Sequence, residues 1–234
     1  MRDHTVTYKG QEYRLKSLGK ALTPYGYHED YLSIELDKGH FFEEGFLDRL
    51  RDEFLGDYIT FVDIGANIGN HSVFARDVLG AKHIICFEPV AAQREVLEAN
   101  LPGATVYPYG LSDAPGTMGV ELNVMRDGTT GGILANAGGS RLTEGNAVEV
   151  RTLDSFGLAA EGQSVWKIDV EGMEAKVLKG AVETIKRLQP VIYTECNDLA
   201  NLMACMEVLR PLGYSLTWIE DHGNPMAEWS PPND

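Results

Sequence analysis

Phe61-Val62-Asp63-Ile64-Gly65-Ala66-Asn67-Ile68-Gly69-Asn70 reads as the end of an apolar strand, a tight turn and the start of a helix. Such a junction points backbone N–H groups into the crevice beyond the strand end. Gly65 and Gly69 can adopt positive φ, and Gly65 lets a ligand approach the main chain. One helix later, a second apolar run ends in Phe87-Glu88-Pro89, where a carboxylate can accept both hydroxyls of a ribose. The two junctions together describe a nucleoside pocket.

A dinucleotide site wants Gly-x-Gly-x-x-Gly, its middle glycine passing beneath a pyrophosphate. The corresponding positions here are Gly65, Asn67 and Asn70. Asp63, inside the strand end, would sit badly beside a pyrophosphate but suits a ligand with an ammonium and a sulfonium group. The expected cofactor is S-adenosylmethionine.

At 234 residues, 44% hydrophobic and 24% charged, the chain has the size and composition of one globular domain with an extension. Its formal net charge of −15, with no dense Lys/Arg run, opposes a phosphate backbone, so nucleic acid is not the expected partner. Cys86, Cys196 and Cys205 lack Cys-x-x-Cys spacing and imply neither a disulfide framework nor a structural zinc. No apolar run approaches the roughly 20 residues of a membrane span, and the first residues lack a signal pattern. A cytoplasmic protein is expected.

Residues 5–18 alternate around Lys9-Gly10-Gln11 as a hairpin, and Thr23-Pro24-Tyr25-Gly26 is a turn. Residues 31–36 suggest a short strand or irregular segment. Phe42, Phe46, Leu47, Leu50 and Phe54 recur at helical spacing, predicting a helix over 43–55 packed on a sheet. Helices over 70–79 and 91–100 alternate with strands at 59–64, 84–88 and 104–109, implying a parallel sheet with a ligand crevice at its strand C-termini. Asn70 is the expected cap of the first of these helices. Six glycines between Met125 and Asn146 predict an irregular loop, a cover for the acceptor or a mobile excursion. Short strands at 117–122 and 148–153 flank that stretch, and strands at 165–170, 190–195 and 213–219 with helices at 174–188 and 200–209 complete the pattern. The expected division is an extension over 1–56, a catalytic domain over 57–222 and a loosely ordered tail over 223–234.

Acids recur at the strand ends: Asp63, Glu88, Asp169 with Glu171, and Glu195. Carboxylates gathered at one sheet edge suggest a site. For methyl transfer to a hydroxyl, Asp169 or Glu171 would serve as base. Alternatively, Asp169 and Glu195, with Asn197, would hold a magnesium ion that acidifies the acceptor. His71, just inside the first helix, is a further candidate base or a locally bonded histidine. Ser112 and Asp113 either meet an adenine amine or form a polar turn.

Val62-Asp63-Ile64-Gly65-Ala66-Asn67-Ile68-Gly69-Asn70, Phe87-Glu88-Pro89, Leu111-Ser112-Asp113 and Ile168-Asp169-Val170-Glu171-Gly172-Met173-Glu174 with Val177-Leu178-Lys179-Gly180 resemble FkbM-type methyltransferases. Leu153-Asp154, the Glu195 strand and Leu212-Gly213-Tyr214 follow the same pattern, so the resemblance spans about 61–214. It implies an α/β class I methyltransferase (Rossmann-like) fold: a seven-stranded, mostly parallel sheet with its last strand antiparallel, here with a small N-terminal extension. It implies S-adenosylmethionine as donor and an O-methylated sugar, glycan or secondary metabolite as acceptor. The expected donor set is Asp63, Gly65, Ala66, Asn67, Gly69, Asn70, Glu88, Pro89, Ser112, Asp113 and Asp169; Asp169, Glu171, Glu195 and His71 are the catalytic candidates. The competing readings are an NAD(P)-dependent oxidoreductase and a non-catalytic nucleoside-binding module. The N-terminal segment matches no pattern and would cover the acceptor or form a homo-oligomer contact.

Overall fold

The computed structural model describes residues 1–126, 132–220 and 225–232. Two hairpins open the chain: β1 (Arg2–Tyr8) with β2 (Gln11–Ser17), and β3 (Lys20–Thr23) with β4 (Gly26–Glu29). Two helices follow, α1 (Tyr31–Leu36) and α2 (Glu44–Phe54). The alternating core comprises β5 (Ile59–Ile64), α3 (Asn70–Phe74, prolonged by a π-helical turn over Ala75–Leu79), β6 (His83–Phe87), α4 (Ala91–Asn100) and β7 (Thr105–Tyr107). Next come β8 (Gly110–Leu111), β9 (Gly116–Arg126) and β10 (Ile133–Arg151), which form a separate three-stranded sheet. The chain then returns through β11 (Gln163–Ile168), α5 (Glu174–Lys179), α6 (Val182–Leu188), β12 (Val191–Glu195), α7 (Leu199–Leu209), β13 (Ser215–Ile219) and β14 (Met226–Ser230).

The main sheet runs β13-β14-β12-β11-β5-β6-β7. β12, β11, β5, β6 and β7 pair in parallel, while β14 is antiparallel to both neighbours. All six residues of β5 are buried, as a central strand covered on both faces requires. Its side chains alternate between two cores: Ile59 and Phe61 pack with the α2 and α3 aromatics, Val62 and Ile64 with α5 and α6. Phe46, Leu47, Leu50 and Phe54 of α2 share that first core with Val6, Tyr8 and Leu15 of the opening hairpin. The N-terminal residues are thus packed into the domain. No helix among the described residues is long and apolar enough to cross a membrane.

Three expectations about local structure are overturned. Residues 31–36 are helical because the Asp30 carboxylate caps them, accepting from the Ser33 N–H at 3.2 Å. The glycine-rich stretch, outside 127–131, is ordered as the β9–β10 hairpin, whose register shifts between Asn136 and Arg141 and again between Thr143 and Val148. Glycines here serve bulges rather than an open loop. The segment from 225 is no loose tail, since β14 sits inside the sheet.

Trp229 anchors that strand. It is fully buried and its indole N–H donates to Thr194 Oγ1 at 2.8 Å. Trp229→Ala is expected to cost about 3–5 kcal/mol in urea denaturation. A loosely ordered tail would give a change near zero.

Candidate active site

The β5 rim turns back sharply. Gly65 and Ala66 both donate their N–H groups to the Phe87 carbonyl, at 3.0 and 3.1 Å. Gly65 has φ +81°, and a Cβ there would lie 1.9 Å from the carbonyl oxygen of Asp169. Only glycine lets the β5 and β11 rims approach this closely. Asn67 also adopts positive φ (49°), and its N–H donates to Glu88 Oε2 at 2.9 Å. The other Glu88 oxygen accepts the Val90 N–H at 2.8 Å. Burial pushes the Glu88 carboxyl up to about 7 despite these bonds.

On this frame rests a cleft of about 580 Å³, lined by Phe87, Glu88, Pro89, Tyr109, Leu111 and Leu142 among others. Apolar and aromatic walls, with Glu88 on one side and Asp169 and Glu171 at the border, suit a nucleoside. A second cavity of about 620 Å³ adjoins it, with Gly65, Asn67, Gly138, Asp169 and Glu171 bordering both. Its floor gathers ionisable side chains: Lys167, Asp169, Glu171, Glu195 and His71. The 136–139 segment of β10 covers both cavities, pinned through Ala137, whose N–H donates to Asp30 and whose carbonyl accepts from Gln93.

Lys167, only 2% exposed, extends from β11 to within 3.0 Å of Asp169 and 3.8 Å of Asp63. Burial opposes its charge, but Asp169 and Asp63 hold the ammonium protonated. Burial likewise opposes ionisation of Asp169, yet Lys167 and a hydrogen bond from Glu195 keep that carboxyl below its usual range. Burial and the Asp169 charge push Glu195 up to about 10, so Glu195 carries the proton that the pair shares at neutral pH. Glu171 is raised to about 7 by burial, then by Asp169 and Glu174. It has φ +55°, a conformation that costs energy for a residue with a Cβ. The turn is held by Glu174 Oε1, which accepts the Val170 and Gly172 N–H groups at 3.0 and 3.2 Å. The strain directs a carboxyl poised near neutrality to the border of both cavities.

Residues 63–223 match the methyltransferase FkbM domain. The chain belongs to the FkbM methyltransferase family. Methyltransferases of this family generally use S-adenosylmethionine. Over 139 residues the chain is 32% identical to the hexuronic acid methyltransferase AglP of Haloferax volcanii, covering 56% of this chain and 53% of that protein. It therefore spans about half the length of that relative. The FkbM methyltransferase of Methylobacillus flagellatus KT superposes with a TM-score of 0.50 at 19% identity, over 74% of this chain and 44% of the other. A ribosomal protein L11 methylase from Lactobacillus delbrueckii subsp. bulgaricus gives 0.51 at 10% identity, over 80% and 77%. At these identities the two structures share the fold with this chain.

Within this FkbM fold, Gly65, Ala66, Asn67, Asn70, His71, Glu88, Pro89, Asp169, Glu171 and Glu195 all line one or both cavities. Asp63 does not. It is fully buried beneath them, accepting a hydrogen bond from Ser72 at 2.6 Å and lying 3.8 Å from Lys167. Ser112 and Asp113 also stand apart: they bond each other, and Ser112 N–H donates to Arg151 in the three-stranded sheet. The polar-turn alternative describes them. Gly69, with φ +86°, is the helix cap that Asn70 was expected to be, and it packs on Leu97 and Leu101 rather than lining a cavity. Asn70 instead clamps both main-chain groups of Phe42. His71 Nε2 lies 3.0 Å from Glu43.

Lys167 was unforeseen, although a lone lysine in an otherwise apolar strand is the signal that would reveal it. Asn136, Gly138 and Tyr31 were hidden for another reason: they reach the crevice only through tertiary packing of α1 and β10. Glu88→Ala is expected to weaken S-adenosylhomocysteine binding by at least about tenfold in calorimetric titration, because it removes a ribose acceptor and frees the Asn67 and Val90 N–H groups. Unchanged affinity would refute the ribose assignment.

Proposed function

We propose that the chain transfers the methyl group of S-adenosylmethionine to a hydroxyl of a sugar or glycan. The observation that carries this reading is the border shared by the nucleoside cleft and the charged cavity, where Glu171 faces both. The hexuronic acid specificity in the name of the 32% identical relative favours a sugar acceptor. Adenosine occupies the Glu88 cleft, and the acceptor hydroxyl approaches from the Tyr31 and Phe42 side. Glu171 takes the hydroxyl proton as the new O–CH3 bond forms. The methyl–sulfur bond breaks with its electron pair passing to sulfur, leaving neutral S-adenosylhomocysteine. Lys167 keeps Asp169 ionised beside the reacting centre, where its charge favours the sulfonium.

A second reading is favoured by the convergence of Asp169, Glu171 and Glu195, whose nearest ligand atoms lie within 4.8 Å of one another. These three oxygen donors fit a hard divalent cation such as magnesium, and the burial and mutual repulsion that raise Glu171 and Glu195 are what such a charge would offset. A bound cation would acidify the acceptor hydroxyl. Asn197 fits less well than expected, because its amide nitrogen faces Glu195 at 3.3 Å.

Calorimetric titration with S-adenosylhomocysteine and with NADH tests the donor class: the former alone is expected to bind, and NADH binding alone would overturn the reading. Turnover after EDTA treatment then separates the two mechanisms. Retained activity supports Glu171 as base, and loss restored by magnesium supports the cation.

A further inference from the structure

Two polar side chains of the second cavity take no part in the mechanism above. His71, on α3, has a side chain only 9% exposed, and its Nε2 has no hydrogen-bond partner among the described residues. Glu43 faces it, with Oε2 equally unpartnered. The two atoms lie 3.0 Å apart but are not aligned to bond each other. Both residues line the cavity that holds Asp169, Glu171 and Glu195. A buried polar atom left unpaired costs free energy that a ligand group of matching chemistry recovers.

Glu43 is held there under strain. It begins α2 at φ +60°, in the left-handed region, and its side chain does not cap that helix. Five non-glycine residues have positive φ among the described residues, and three of them, Glu43, Asn67 and Glu171, line this one cavity. Such strain persists where the surroundings over-determine it, and it gathers at binding sites. The constraint on Glu43 is visible: Asn70 accepts the Phe42 N–H at 3.2 Å and donates to its carbonyl at 3.1 Å, while buried Phe46 and Leu47 anchor the first turn of α2. Glu43 also precedes residues 63–223, the stretch that matches the FkbM domain.

A hydroxyl is the group that suits both atoms, because it donates one hydrogen bond and accepts others. The nearby carboxylate favours the His71 tautomer with its proton on Nε2, so a hydroxyl between them donates to Glu43 and accepts from His71. An ammonium ligand would offer His71 no acceptor, and a carboxylate ligand would be repelled by Glu43. We propose that Glu43 and His71 bind a second hydroxyl of the acceptor sugar ring, turning the ring so that the hydroxyl to be methylated meets Glu171. The inference rests on the sugar-hydroxyl reading above and adds to it the pair that selects a polyol and fixes which of its hydroxyls reacts.

The test measures methyl transfer to the methyl glycosides of glucose and glucuronic acid, and then to the monodeoxy analogues of the better acceptor. Besides the analogue that lacks the methylated position, one other is expected to lose at least about tenfold in kcat/KM, the effect of one hydrogen bond to a charged partner. Glu43→Gln and His71→Gln should each lower kcat/KM for the parent sugar by a similar factor. Their losses should not add to that of the sensitive analogue, with which each substitution costs less than about threefold. S-adenosylhomocysteine binding by each variant reports that it is folded. Equal losses with the parent and with every analogue, as a base or a purely structural role would give, overturn this inference alone, and so does full activity of both variants. Transfer to neither parent sugar overturns it together with the sugar reading.

Discussion

Glu171→Gln is expected to lower kcat by about 10²–10⁴-fold, the usual loss on removing a general base, while S-adenosylhomocysteine affinity stays within about tenfold. The glutamine retains the size of the side chain and its place on the strained turn, so the donor site is preserved. The wild-type pH profile identifies the group. A base must be unprotonated to act, and burial with neighbouring acids raises Glu171 to about 7, so kcat/KM should climb through about pH 7 and level off above it. That limb should vanish in the variant. Asp169 is the weaker candidate for this role because Lys167 and Glu195 stabilise its ionised form and so lower its basicity. A full wild-type rate in Glu171→Gln would remove Glu171 from the mechanism.

A large effect on stability is also expected at Lys167. Lys167→Met leaves Asp63, fully buried, and Asp169 facing each other without the intervening ammonium. Removing one member of a buried ionic cluster costs about 3–5 kcal/mol, because the remaining charge is neither solvated nor paired. The sign of its pH dependence follows. In the wild type, Asp169 titrates below its unfolded value, so its contribution is present above the ordinary carboxylate range and is lost as pH falls through its folded pKa. In the variant the stranded carboxyls favour protonation, so the deficit relative to wild type should be greater at pH 8 than at pH 5. Urea denaturation at both values measures this. Equal midpoints at pH 8 would mean that Lys167 does not carry the network.

The parts of this molecule legible in the sequence are those whose cause is local. Phe61 to Asn70 declares a strand, a turn and a helix because hydrophobic run, glycine positions and helical period all lie within ten residues. Glu88 and the Asp169–Glu171 pair are legible for a related reason, as charges ending apolar runs. β14 is not: five residues with Glu228 at their centre and prolines on both sides give no strand pattern. Its burial comes from β12, β13 and Arg49, which meets Glu228 at 2.7 Å from another part of the chain. Only the ends of the β9–β10 hairpin, 117–122 and 148–151, are legible; its middle is obscured by glycines, which are poor strand formers but tolerate the bulges that bring Gly138 and Asn136 over the crevice. Asp63 was legible as an acid at a strand end, but nothing in its own strand signals that Lys167 lies beside it.

The position of β14 also bears on how the chain emerges from the ribosome. Among the described residues β13 has β14 as its one strand neighbour in the sheet, and β14 follows it in the chain. While earlier parallel strands pair as they are synthesised, at about 5–20 residues per second, β13 must wait with Leu216 and Trp218 unpaired until residues 226–230 appear. For that interval the nascent domain ends in an open edge at β12, the surface most prone to capture by another chain or a chaperone. β14 therefore acts as the bolt that closes this side of the sheet, and substitutions in it should reduce the yield of soluble protein during expression before any effect on methyl transfer can be measured.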